Sequence, residues 1–367
     1  MRKPDTLSLL VFARSWGIVI LFVALFGAFS AWGAPIFGTF ANFSLILGGA
    51  SLATLFAAAI AMGVFSGALD LSVPGIAAIS GVVLAKALLV HQSVWVGIIL
   101  ALITGAVFGL VNAFFTLKGL NPLAVTIGTL SVTSGLAAVV TNGPPLFGFK
   151  GLEFIGSQQY FATKINGTMV GLPGPFMVVL LVYVVFTIFL TQTRGGARFL
   201  AAGGNAEALR RSGVNANLYK MLGFVISGIL AAVGGIVTTA FTSQASALPA
   251  TNQLFTGLTA VALSGISLAG GRGSLPKVFV GSVIISEIAS ILVIKNIQPF
   301  WGTVITGALL IFALYVELVI QKAVSKQVVQ HRSAAPAPAP AVASAAMPTT
   351  NYLSNTTDGA ATEKKDA

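Results

Sequence analysis

"AAGGNAEALRRSGVNANLYK", Ala201 to Lys220, puts a charge-bearing helix between two apolar runs, in a chain where only 8% of residues are charged. Gly203 and Gly204 break the helix that precedes it, and Asn205 is a good N-cap. Glu207 stands three and four residues before Arg210 and Arg211, the spacing of neighbours on one helical face. Gly213 suits a left-handed C-terminal cap. The spacing predicts a short, well-delimited helix near 205–213, outside any apolar layer. The side of the layer on which it lies sets the whole topology.

Outward from this stretch the chain turns apolar. Of its 367 residues 56% are hydrophobic, and runs of about 20 apolar residues recur, each long enough to cross about 30 Å of hydrocarbon as a helix. Irregular backbone cannot face lipid with unpaired amides, and the alternating polarity of a membrane barrel is absent. The expected fold is therefore all-α, a polytopic transmembrane helical bundle. The 41 glycines fit closely packed helices. We place spans at 16–34, 44–66, 74–90, 94–117, 122–141, 171–191, 221–242, 256–271, 277–294 and 300–320, about ten in all. The segment 256–271, "TGLTAVALSGISLAGG", is short and glycine-rich, so a re-entrant hairpin is the alternative there.

Basic residues orient the bundle. With a cytoplasmic N-terminus, Arg2, Lys3, Arg14, Lys118, Arg194, Arg198, Arg210, Arg211, Lys220, Arg272, Lys277, Lys322, Lys326, Arg332, Lys364 and Lys365 lie inside. Lys150, Lys164 and Lys295 lie in outer loops, and Lys86 snorkels from a span end. Both termini and the opening stretch are expected in the cytoplasm. The basic start and "SAWGA" resemble a cleaved leader, but the apolar part from Trp16 to Ala34 exceeds a usual signal core. Residues 1–328 form the expected membrane domain. Residues 329–367, with the Ala/Pro-rich run from Ser333, read as a disordered cytoplasmic tail without apolar surface to bury.

The composition also excludes several classes. A net charge of +11 points to nucleic acid only if it forms a stripe with interleaved aromatics, and here it sits in short gaps between spans. Cysteine is absent, and His91 and His331 are too far apart for a metal cluster, so no metal or catalytic site is expected. No phosphate-binding loop occurs: in "GPPLFGFK", Gly143 to Lys150, Phe149 holds the lysine position, and "GGRGS" lacks the lysine and spacing.

Three polar features interrupt the apolar runs. In "LDLSVPG", Leu69 to Gly75, Asp70 or Ser72 is read as capping the helix that contains Pro74, with a substrate role as the alternative. Glu287, deep in the ninth span, must face the bundle or dimer interior, and proton coupling would need a relay partner. The outer segment Asn142–Gly171 carries Phe147, Phe149, Tyr160 and Phe161, an interfacial aromatic belt in its plainer reading.

"EALRRSG" at Glu207–Gly213 resembles the Glu-Ala-Ala loop of the membrane subunits of bacterial ATP-binding cassette importers, with Leu209 in place of the second alanine. The longer "AAGGNAEALRRSGV" is similar to the monosaccharide permeases of the ribose class, as are "GALDLSVPGIAAISG" (67–81), "NPLAVTIGTLSVTSGLA" (121–137) and "LSGISLAGGRGS" (263–274), in that order. The resemblance spans most of residues 45–320. It implies an inner-membrane permease that pairs with a second copy or homologue, with membrane lipid around it. It also implies a cytoplasmic ATPase, which binds the ATP, and an extracytoplasmic sugar-binding protein docking on the outer segment. Gly204, Asn205, Glu207, Ala208, Arg210, Arg211, Ser212 and Gly213 would then couple to the ATPase, and this chain would need no cofactor and be no enzyme. Asp70, Ser72, Asn121, Thr126, Thr129 and Glu287 are the candidate pathway or helix-cap residues. An ion-coupled secondary transporter of a small polar solute is the competing reading.

Overall fold

The computed structural model describes residues 6–165, 167–248, 250–267 and 270–334. Most of the expected tail, beyond Ala334, lies outside the described residues. The apolar runs become helices α1 (Thr6–Trp32), α2 (Phe40–Phe65), α3 (Val73–Leu89), α4 (Val94–Leu117) and α5 (Pro122–Thr141). The outer segment contributes α6 (Glu153–Gly156), β1 (Gln159–Ile165) and β2 (Thr168–Pro173), and α7 (Gly174–Gln192) follows. The polar stretch forms α8 (Arg194–Gly204) and α9 (Ala206–Arg211). Then come α10 (Ala216–Thr242), α11 (Thr251–Leu263), α12 (Leu275–Ile294) and α13 (Phe300–Ala334). The chain is a helical membrane bundle. Among the described residues seven helices are long and apolar enough to cross a bilayer, with shorter apolar helices at Trp16–Trp32 and Val73–Leu89.

Helix α2 is the axis of the core, buried along nearly its whole length from Ile46 to Phe65. Around it pack α10, α11, α12 and α7, while α10 also runs against α3 and α4. The α4–α10 crossing depends on absent side chains. A Cβ on Gly105 would strike the Gly228 carbonyl, and one on Gly109 would lie 2.9 Å from Val225 Cα. Helices in lipid gain no hydrophobic drive from each other, so such close backbone packing is what holds them.

The expected span 256–271 is helical only in its first part. Helix α11 has 13 residues and is about 20 Å long, too short to cross alone. Just before it, Ala245 pairs with Leu146 of the outer segment (2.9 and 3.0 Å), while Gly270 and Gly271 just after it lie against Gly203 at the end of α8. The segment therefore runs from the Leu146 end of the bundle to the Gly203 end, with Ser264 and Ile266 buried and Arg272 and Gly273 exposed.

The outer segment also holds a β-hairpin, which the sequence reading did not foresee. β1 pairs antiparallel with β2, Gln159 opposite Pro173 and Ile165 opposite Thr168, with a bulge between Tyr160 and Thr163. Ser44 Oγ of α2 donates to Gly171 O at 2.7 Å, tying the hairpin to the start of the central helix.

Candidate functional site

The polar stretch is built as two helices, not one. Helix α7 ends at Gln192, where Thr193 turns extended (φ −111°, ψ 148°) and accepts from Gly196 N–H at 2.9 Å. The chain thus breaks ten residues earlier than Gly203–Gly204, and that glycine pair instead closes α8. Helix α8 buries Gly196, Phe199 and Ala202.

Helix α9 is delimited as its residues dictate. Asn205 Oδ1 accepts from Ala208 N–H at 2.9 Å. At the other end Ser212 is the C-cap and Gly213 (φ +80°) donates to Arg210 O at 2.9 Å, while Val214 N–H reaches Leu209 O at 3.3 Å. That is a Schellman closure, which a left-handed glycine makes without strain. Glu207 pairs with Arg210 at 2.7 Å and Arg211 at 3.2 Å. Hydrogen bonds from Arg210, then from Arg211, hold its carboxyl below the usual carboxylate range, so the triad stays charged at neutral pH. Leu209 is the buried residue of α9, clustering with Ala202 and Ala216, and Ala206 packs beside them. The element is a rigid, charged knuckle anchored by one leucine.

A second constellation lies within the bundle. Asp70, in the α2–α3 turn, is fully buried. Its Oδ1 accepts from Ser72 N–H at 2.9 Å and from the Ser72 hydroxyl, and its Oδ2 accepts from Ser227 Oγ of α10 at 2.8 Å. Ser72 Oγ accepts in turn from Asn112 Nδ2 of α4 at 2.8 Å, and Asn112 Oδ1 accepts from Thr129 Oγ1 of α5 at 2.6 Å. One buried chain of hydrogen bonds therefore joins the α2–α3 turn to α10, α4 and α5. The expected helix cap is absent: Ser72 sits at the N-cap of α3 without a side-chain cap bond, and Asp70 lies two residues too early. Asp70 instead closes a local turn and accepts from α10.

Asn121 caps α5, accepting from Leu123 N–H at 2.9 Å. Thr126 is buried and donates back to Leu123 O at 3.3 Å. Glu287 faces the bundle interior, fully buried, both carboxyl oxygens without a hydrogen-bond partner among the described residues. It shares a helical face with Val283 and Ile291, which join the Phe37, Ile46 and Ala50 cluster, so it is remote from the Asp70 chain. Asn112 and Ser227 escaped the sequence reading. Their signal was a single amide and a lone hydroxyl within apolar runs, where unpaired polar groups are costly.

Residues 42–314 match the family described as branched-chain amino acid transport system / permease component. The chain belongs to this family. Among its relatives, the L-arabinose transport system permease protein of Escherichia coli is 30% identical over 85% of this chain and 94% of its own length. The D-allose transport system permease protein of the same organism is 28% identical over 83% and 91%. The ribose import permease protein, again of E. coli, is 26% identical over 86% and 96%. No solved structure matches significantly. As a permease component the chain is a multi-pass inner-membrane transport subunit, not an enzyme, and works as one part of a larger system.

Proposed function

We propose that this chain is the membrane subunit of an ATP-driven importer of a monosaccharide, working by alternating access. The α8–α9 knuckle is where a separate cytoplasmic ATPase docks. The observation that carries this is α9 itself: Asn205, Gly213 and Leu209 fix its geometry, while Glu207, Arg210 and Arg211 stay exposed. A connector needs no such rigidity, whereas a lever does. The named relatives transport L-arabinose, D-allose and ribose, which supports a neutral sugar as cargo. The exposed apolar face of α5, with Ile127, Val132 and Leu136, supports contact with lipid or a second permease copy. The outer hairpin supports contact with an extracytoplasmic sugar-binding protein. Nothing among the relatives favours an ion-coupled transporter.

The proposed orientation puts both termini and α9 inside. Single cysteines are clean reporters in a cysteine-free chain. In intact cells an impermeant thiol reagent should label Lys150→Cys and leave Arg211→Cys untouched; the reverse pattern would invert the topology.

Docking is tested at two positions. Glu207→Lys reverses the central charge of the knuckle while removing only exposed ion pairs, which add little to stability. Gly213→Pro removes the N–H that closes the Schellman turn and forbids its positive φ. Both variants should reach the membrane in normal amounts, lose the co-purifying ATPase, and lower uptake roughly tenfold or more, within the range of a broken coupling between sites. Normal uptake in both would reduce the knuckle to a connector.

A further inference from the structure

The two constellations meet through backbone. The end of α8, the turn after α2 and the loop before α12 cross at Gly203, Gly67 and Gly271. A Cβ on Gly203 would strike the Phe65 carbonyl oxygen and lie 2.9 Å from both Gly67 N and Gly271 N. A Cβ on Gly67 would come within 3.1 Å of Gly203 Cα, and one on Gly271 would strike Gly204 and lie 2.9 Å from Leu200 O. Gly67 and Gly271 have φ of +88° and +73°, where only glycine sits without strain.

We propose that Gly203, Gly67 and Gly271 form the joint that carries displacement of the α8–α9 knuckle into the membrane helices. This rests on the reading that an ATPase docks on α9. Gly203 stands two residues before Asn205, the cap of α9, and Gly67 stands three residues before Asp70. Between them there is no side chain to rotate away, so a shift of α8 must move the α2–α3 turn. That turn is pinned to α2 by Gly67 N–H to Val64 O (2.9 Å) and Ala68 N–H to Gly63 O (3.0 Å). Beyond it the Asp70 chain of hydrogen bonds continues through Asn112 to Thr129 on α5. The three glycines are positioning residues: they touch no cargo and act through the turn they hold.

A second glycine of α8 makes the test sharp. Gly195 stands on the same helix, yet a Cβ there would meet only the Phe189 ring at 3.4 Å and Thr193 Oγ1 at 3.7 Å, ordinary contact. The reporter is a spin label on Ser131→Cys, on α5 two residues beyond Thr129, its mobility read by electron paramagnetic resonance in the intact transporter with ATP and vanadate or without nucleotide. In the parent protein nucleotide should shift the ratio of mobile to immobile label at least about fivefold, the lower end of ordinary allosteric coupling. Gly195→Ala should respond like the parent. Gly203→Ala should keep its ATPase and its ATP hydrolysis but lose the response, a separation that simple misfolding does not produce. If Gly203→Ala fails to accumulate, Gly67→Ala, with a milder 3.1 Å contact but a strained φ of +88°, takes its place and should show a reduced response. A parent-like response in whichever variant accumulates overturns the joint. Failure of any ATPase to co-purify with the parent overturns the docking reading instead, and the joint with it.

Discussion

Gly228→Leu should leave almost no folded protein in the membrane. At this point α10 crosses α4 backbone to backbone, and a Cβ alone would strike the Gly105 carbonyl and lie 3.2 Å from Gly109 Cα. A leucine adds three further carbons to space already filled by main chain, which cannot rotate aside. Overpacking a side-chain core costs about 1–3 kcal/mol, and forcing backbones apart costs more. The penalty is thus at least about 3 kcal/mol, a large share of a total stability of roughly 5–15 kcal/mol. Because α10 also packs on α2 and α3, the separation spreads through the core. Gly27→Leu is the comparison, since nothing lies within 4 Å of a Cβ there. Yield of monodisperse protein after detergent extraction should collapse for Gly228→Leu and hold for Gly27→Leu. Parent-like yield and melting temperature for Gly228→Leu would show that the crossing is looser than described.

At Asp70 the expected result is a wide gap between alanine and asparagine. Alanine strands the Ser72 N–H, the Ser72 hydroxyl and the Ser227 hydroxyl, all buried, at about 1–3 kcal/mol for each unsatisfied group that finds no other partner. A total of roughly 3 kcal/mol, with most of the transport activity lost, is expected, against about 1 kcal/mol had Asp70 only capped a helix. Asparagine keeps both Ser72 bonds on its Oδ1, and its amide can donate to Ser227 Oγ once that hydroxyl turns. Asp70→Asn should therefore melt within a few degrees of the parent and retain most uptake. If its uptake falls as far as that of Asp70→Ala while its melting temperature holds, the negative charge itself takes part in transport.

Much of this architecture is readable along the chain because a bilayer imposes local rules. A span must be about 20 apolar residues, as in Phe40–Phe65 or Val94–Leu117, and its backbone must bond within itself, so each helix is announced by its own composition. The α9 caps are local too: Asn205 and Gly213 bond within three to five residues. Errors arose where local signals compete. In "TQTRGGARFLAAGGN" two glycine pairs offer themselves as breaks, and Thr193, an unremarked cap, is the one that separates α7 from α8. In α11 the apolar run continues past Leu263, but the glycines at 265, 270, 271 and 273 take positive φ and end the helix early.

By itself, then, the sequence determined the membrane class, the helices and their approximate ends, and the capped, charged knuckle, since each depends on neighbours a few residues away. Tertiary structure alone decided what Asp70 does, because its partner Ser227 lies 157 residues distant and Asn112 meets Ser72 across 40. It alone decided which glycines matter. Gly203 and Gly204 are indistinguishable in the chain, and only the backbones of Gly67 and Gly271, brought in by packing around α2, fill the space beside one of them and leave the other open.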